Sequence, residues 1–153
     1  MNSVMKRVLV LAILLLSACV PVTLLPPITA DLGTEFTLAP GQSATISDTG
    51  LTLTLVSVPG DQRCPLNIEC AMSGPVSISI SVQSDSGTPQ EFSFYSFTDN
   101  DGSVPDLDFE GMITHIEFEA YVIQIESVLP FPQNKMVEIK DAQYRVSFMI
   151  EEK

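Results

Sequence analysis

The sequence predicts an all-β chain: a single antiparallel β-sandwich, immunoglobulin-like, of about seven or eight strands. Three observations predict it. From residue 31 onward, segments recur in which apolar and polar residues alternate with a period of two. Turn-forming residues punctuate these segments at short intervals: Pro40-Gly41, Gly50, Pro59-Gly60, Gly74-Pro75, Gly87 with Pro89, Gly102 with Pro105, Gly111, and Pro130 with Pro132. No window of eleven or more residues in this region carries an apolar stripe at helical spacing, so helices are expected to be short or absent. Parallel sheets need crossover helices, for which the chain leaves no room.

Taken in order, the first candidate strands are Glu35 to Leu38 and Ser43 to Ile46. Leu51 to Leu55 is stronger, with leucine at every odd position and threonine between. Val76 to Val82 is the clearest, since every even residue is apolar and every odd one is serine. That is the pattern of a strand with one buried and one wet face. Glu91 to Phe97, Met112 to Phe118 and Tyr121 to Val128 follow, and Tyr144 to Ile150 closes the series. Around Glu119-Ala120 the apolar register slips from even positions (Ile116, Phe118) to odd ones (Tyr121, Ile123, Ile125). A β-bulge or a break between two strands explains that slip equally well.

The chain of 153 residues is 45% apolar and 17% charged, a composition that folds rather than staying disordered. Its length suits one domain, placed at residues 31–153, and no internal repeat or second domain is evident. Seven Lys and Arg against nineteen Asp and Glu give a net charge of −12. Phosphate-backbone affinity rests on basic residues, so nucleic acid is excluded as a partner.

Residues 1–18 read as a signal peptide. Lys6 and Arg7 form a short basic region, and Val8 to Leu16 is an unbroken run of nine apolar residues. Such a run is too short to span a bilayer, which takes about 20, but it suits an export signal. Leu16-Ser17-Ala18-Cys19 follows. This tetrapeptide resembles the lipobox of bacterial lipoproteins, and the resemblance implies cleavage before Cys19 and acylation of that cysteine. It also implies attachment to the cell membrane or an outer membrane, with the domain on the periplasmic or extracellular side. Cysteine parity agrees. Three cysteines leave one unpaired in an oxidising compartment, and with Cys19 acylated, Cys64 and Cys70 remain to pair with each other. Without Lys6 and Arg7 the chain carries a net charge of −14. An anionic bilayer repels such a domain, so the anchor must be hydrophobic. Acyl chains contribute about 0.8 kcal/mol per buried methylene, and stable attachment takes more than one chain. Val20 to Ala30 holds three prolines in eleven residues, so residues 19–30 read as an acylated cysteine and a stiff, extended and rather apolar spacer.

The most distinctive internal stretch is Asp61-Gln62-Arg63-Cys64-Pro65-Leu66-Asn67-Ile68-Glu69-Cys70-Ala71-Met72-Ser73-Gly74-Pro75. It resembles a motif of small bacterial exported β-domain proteins and lipoproteins, in which an acidic residue precedes Arg-Cys-Pro, a second cysteine follows, and an aromatic and a glycine lead into a strand. Arg63, Cys64, Pro65, Cys70 and Gly74 match that motif, while Met72 stands where the aromatic, often tryptophan, is found. The family carries no established activity. An exported Cys-Pro-x4-Cys is most simply a local disulfide. Closing the seven-residue loop contributes roughly 2.4 kcal/mol on the chain-entropy account. Arg63 has Asp61 and Glu69 within reach as ion-pair partners. Such a rigid loop, with Arg63, Leu66, Asn67 and Ile68, can also present itself to a partner, as inhibitory loops do. Reduced Cys64 and Cys70 with Met72 would suit a soft ion such as Cu(I), against which the oxidising compartment argues.

Asp99, Asp101, Asp106, Asp108 and Glu110 put five carboxylates into twelve residues. A solvated acidic loop is the plain reading, and calcium held by Asp99, Asp101, Asp106 and Asp108 is the alternative; the spacing is not that of an EF-hand. His115, the only histidine, falls on the outer face of its strand beside Glu117. No Gly-x-Ser-x-Gly, HExxH, phosphate-binding loop or dinucleotide fingerprint is present, so the expectation is a protein without enzymatic activity or cofactor. The expected role is therefore a membrane-anchored lipoprotein that binds or supports an envelope component. The alternatives are an accessory protein for a small ligand or calcium, and an inhibitor of an exported enzyme acting through residues 64–70.

Overall fold

The computed structural model describes residues 25–107 and 109–153, so the expected signal peptide and Cys19 lie outside the described residues, as does Asp108. Nine strands follow one another: β1 (Ile28–Ala30), β2 (Phe36–Leu38), β3 (Ser43–Ile46), β4 (Leu51–Asp61), β5 (Val76–Ser84), β6 (Gln90–Ser96), β7 (His115–Phe118), β8 (Tyr121–Leu129) and β9 (Arg145–Glu152). Among the described residues the only helical turn is a 3-10 turn at Asp141–Gln143. The strands form a five-stranded sheet, β1-β3-β4-β5-β6, and a four-stranded sheet, β2-β9-β8-β7.

The period-two segments become strands with the expected faces. In β5, Val76, Ile78, Ile80 and Val82 are fully buried, and the intervening serines are half-buried. Leu51, Leu53 and Leu55 of β4 and Val146, Phe148 and Ile150 of β9 are likewise buried, and in β9 Ser147 between them is buried as well. Bulges between Leu55 and Ser57 and between Ser57 and Gly60 let Val58 return to the core. A further bulge between Ile125 and Ser127 moves β8 from odd buried positions, Ile123 and Ile125, to Val128. Phe148 packs between the layers, its ring 6.1 Å from those of Phe36 and Phe94.

Several expectations are corrected. The sandwich is mixed rather than wholly antiparallel, because β1 runs parallel to β3, with Ile28 opposite Ala44. The stretch read as spacer thus ends in a strand: pairing begins after Pro27, the last residue without an N–H to donate, and three residues are too few to show alternation. With β1, nine strands lie among the described residues. Within β3-β4-β5-β6 and within β7-β8-β9 every pairing joins consecutive strands, so these form two meanders, which β1 and β2 extend through the non-consecutive pairings β1–β3 and β2–β9. Ile113 leaves the line of β7 and exchanges backbone hydrogen bonds with Tyr95 of β6, so β7 starts only at His115. At Glu119-Ala120 the slip proves to be a break: a two-residue turn, with Glu119 at φ 52°, sets Phe118 opposite Tyr121.

The two ends of the sandwich differ. At one end lie the short turns 47–50, 85–89 and 119–120, together with residues 31–35. The other end carries the three long connections, 62–75, 97–114 and 130–144, with the β2–β3 turn.

Candidate functional site

The loop end is organised by Arg63. The β4–β5 connection closes at its base where the Gln62 N–H donates to the Pro75 carbonyl (3.1 Å) and the Gly74 N–H to the Gln62 carbonyl (2.9 Å). Gly74 is needed for that approach, because a Cβ there would lie 2.7 Å from the Gln62 carbonyl oxygen. Two residues on, a disulfide joins Cys64 and Cys70 with their Cα atoms 6.0 Å apart. The Cys64 N–H donates to Ser73 Oγ (3.0 Å), and the Leu66 N–H donates to the Pro132 carbonyl (3.1 Å), tying the loop to the β8–β9 connection.

Arg63 turns inward and is 3% exposed. Its Nε donates to Asp61 Oδ1 (2.8 Å) and its Nη2 to Asp61 Oδ2 (2.6 Å), the two-pronged geometry in which guanidinium and carboxylate match best. Of the remaining donors, Nη1 reaches the Val128 carbonyl of β8 (2.7 Å) and Thr98 Oγ1 just past β6 (3.5 Å), and Nη2 reaches the Pro130 carbonyl just past β8 (3.0 Å). The guanidinium carbon lies 5.1 Å from the centre of the Phe131 ring. Tyr144, buried at the head of β9, donates its hydroxyl proton to Asp61 Oδ2 (3.0 Å). Burial opposes ionisation of Asp61, but the hydrogen bonds and charge of Arg63, with help from Tyr144, outweigh it and hold the carboxyl below its ordinary range. Burial first, then the Asp61 charge, pushes the Tyr144 phenol well above its ordinary value. The cluster is ionic, internally satisfied and fixed. It joins the two sheets and presents no unspent donor to a ligand.

Against the sequence expectations, the structure sorts the residues plainly. Arg63 pairs with Asp61 and not with Glu69, and it is a brace rather than part of a presented surface. Leu66, Asn67 and Ile68 stand exposed at the tip of the disulfide loop. The sulfurs of Cys64 and Cys70 bond each other rather than offering thiolates, and Met72 points into solvent. In the acidic loop the Asp101 carboxylate accepts the Ser103 N–H (3.0 Å), and that bond lowers its pKa. Among the described residues no three His, Cys, Asp or Glu side chains converge on a common point. His115 is exposed at the head of β7, opposite Gln124.

Sequence reasoning missed Tyr144 and the carbonyls of Val128 and Pro130, partners more than sixty residues away along the chain. Only the phenol at the head of a buried strand could have signalled the first, and nothing local marks the carbonyls. It also missed a cleft of about 380 Å³ between the far half of β4 and residues 132–141, with Val58, Asp61, Pro132, Lys135, Ile139 and Tyr144 in its walls. No family model matches the chain, and it matches neither a curated protein nor a solved structure.

Proposed function

We propose that the chain is a bacterial lipoprotein, anchored through acylated Cys19, whose β-sandwich plays a non-catalytic binding or structural part at the outer side of a cell membrane or outer membrane. The observation that carries this reading is the pairing of cysteines. Cys64 and Cys70 are joined to each other, which leaves Cys19 as the odd one of three, at the end of Leu16-Ser17-Ala18-Cys19. An exported protein with an odd cysteine needs a fate for it, and acylation supplies one. The self-satisfied Asp61–Arg63–Tyr144 cluster supports a rigid module without chemistry of its own, because its charged groups are spent on one another. We read the sandwich as immunoglobulin-like in layering alone: two packed sheets that present loops at one end.

Intact-mass measurement on protein purified from its native membrane tests the proposal. The expected species begins at Cys19, carries fatty-acyl mass and is two hydrogen atoms lighter for the disulfide. A species that retains residues 1–18, or lacks acyl mass, overturns it.

A further inference from the structure

Among the described residues, most exposed large apolar side chains lie at or beside the loop end; Val56, in mid-β4, does not, and Leu107, Phe109 and Ile113 lie farther along the 97–114 connection. Leu66, Ile68, Met72, Leu129, Met136 and Val137 are all exposed, Met72 at 83% and Met136 at 91%, and all belong to the loop end or the strand terminus beside it. The connections that carry them are tied together, since the Leu66 N–H donates to the Pro132 carbonyl, Pro65, Pro132 and Val137 line one cleft, and Leu129 ends the strand that leads there. At the other end, residues 31–35, 47–50, 85–89 and 119–120 expose no large apolar side chain. Monomeric domains seldom gather such residues into one patch unless something covers it.

The course of the chain says what covers it. β1 runs parallel to β3, which runs away from the loop end, so the chain reaches Ile28 from the loop-end side. Ile28 is level with Ala44 and hence with Leu53 of β4. From Leu53 to Asp61, at the loop end, β4 spans eight residues, or about 26 Å. Cys19 lies nine positions before Ile28, a span that reaches at most about 32 Å when fully extended. The tether therefore barely outreaches the strand it must pass, while the 62–75 loop projects beyond that strand. An acyl group on Cys19 leaves no room for a layer of solvent between the loop end and the lipid.

We propose that the loop end, with Leu66, Ile68, Met72, Leu129, Met136 and Val137, rests on the interface of the bilayer that holds the Cys19 acyl chains. The inference rests on the lipoprotein reading. Apolar tips sit among the headgroups as apolar faces of interfacial segments do. Glu69, Asp99, Asp101 and Glu138 stand at the same end against Lys135 and Lys140, so the contact favours zwitterionic over anionic lipid. Two-layered stiffness and the Arg63 brace hold the loops in this orientation, which leaves the short-turn end pointing outward.

The chain has no tryptophan, so a single introduced one reports its own surroundings. Met72→Trp, Met136→Trp and, at the short-turn end, Ser86→Trp replace exposed residues that the core does not use. Each acylated mature variant is reconstituted into vesicles of phosphatidylcholine brominated in its acyl chains, and tryptophan emission is compared with that in unbrominated vesicles. The result expected is loss of most emission, with a blue shift, at positions 72 and 136 and none at 86. Acylated protein with positions 72 and 136 as unquenched as 86 overturns this inference and leaves the anchor standing. Quenching at all three positions equally overturns the orientation. Intact mass on the same samples identifies the remaining failure: native protein without acyl mass removes the lipoprotein reading and this surface with it.

Discussion

Arg63 stabilises the fold through what it satisfies: one half-buried carboxylate, the Val128 carbonyl of the opposite sheet and the Pro130 carbonyl just beyond it. Arg63→Ala strands all three, and breaking a buried pair by removing one partner costs about 3–5 kcal/mol. Denaturant unfolding should show that loss, and a change below about 1 kcal/mol would mean water replaces the guanidinium freely. Lysine is a poor rescue, because one ammonium cannot span both oxygens and both carbonyls. The pH dependence follows from Asp61. Its folded pKa lies below the ordinary 3.8, so its contribution is present above that value and is lost as pH falls through the folded pKa. Stability measured from pH 6 downward should therefore fall more steeply in the wild type than in Asp61→Asn; parallel curves would contradict the assignment. Gly102 is a second sensitive residue. At φ 90° it packs where a Cβ would lie 2.7 Å from the Val128 carbonyl oxygen. Gly102→Ala should lower stability by more than about 1 kcal/mol, read from the denaturation midpoint.

Among the elements, the cysteine loop is an appendage to the sandwich rather than a layer of it. Leu66 to Ser73 are all exposed, while the strands on either side each bury one face. Replacing Cys64 and Cys70 together by serine should cost roughly 2.4 kcal/mol by loop-closure entropy and leave the β-sheet circular dichroism unchanged. Loss of the strand signal would show that the loop is part of the folding core. The strands with the strictest alternation, β4, β5 and β9, could be read straight from sequence, because a period of two allows only one assignment of faces. β1 could not, being three residues long, and neither could the bulges in β4 and β8, which appear only when a partner strand fixes the count. The slip at Glu119-Ala120 was visible, but choosing between bulge and turn needed the pairing of Phe118 with Tyr121.

For the whole molecule, charge and topology set the behaviour. A net charge of −12, more negative still without Lys6 and Arg7, repels itself in the compact state. At 0.15 M ionic strength the screening length shrinks to about 8 Å, so the melting temperature should rise as sodium chloride is added from near zero to that value. A flat or falling curve would show that the ion pairs, Arg63–Asp61 and Lys153–Glu117, outweigh the general repulsion. One core shared by both sheets predicts a single cooperative transition, the same by circular dichroism and by tyrosine emission.

The sequence by itself determined the β class, the buried face of each regular strand, the acidic balance and the Cys64–Cys70 bond, because each follows from residue type and short spacing. Tertiary structure alone decided that β1 joins the sheet, that β3–β6 and β7–β9 run as meanders with β2 closing against β9, and that Arg63 faces inward against Asp61, Tyr144 and the carbonyls at the end of β8. It alone gathered the exposed apolar loop residues at the end from which the N-terminal segment arrives. Those facts depend on contacts between residues far apart along the chain, and local alternation carries no information about which distant strands meet.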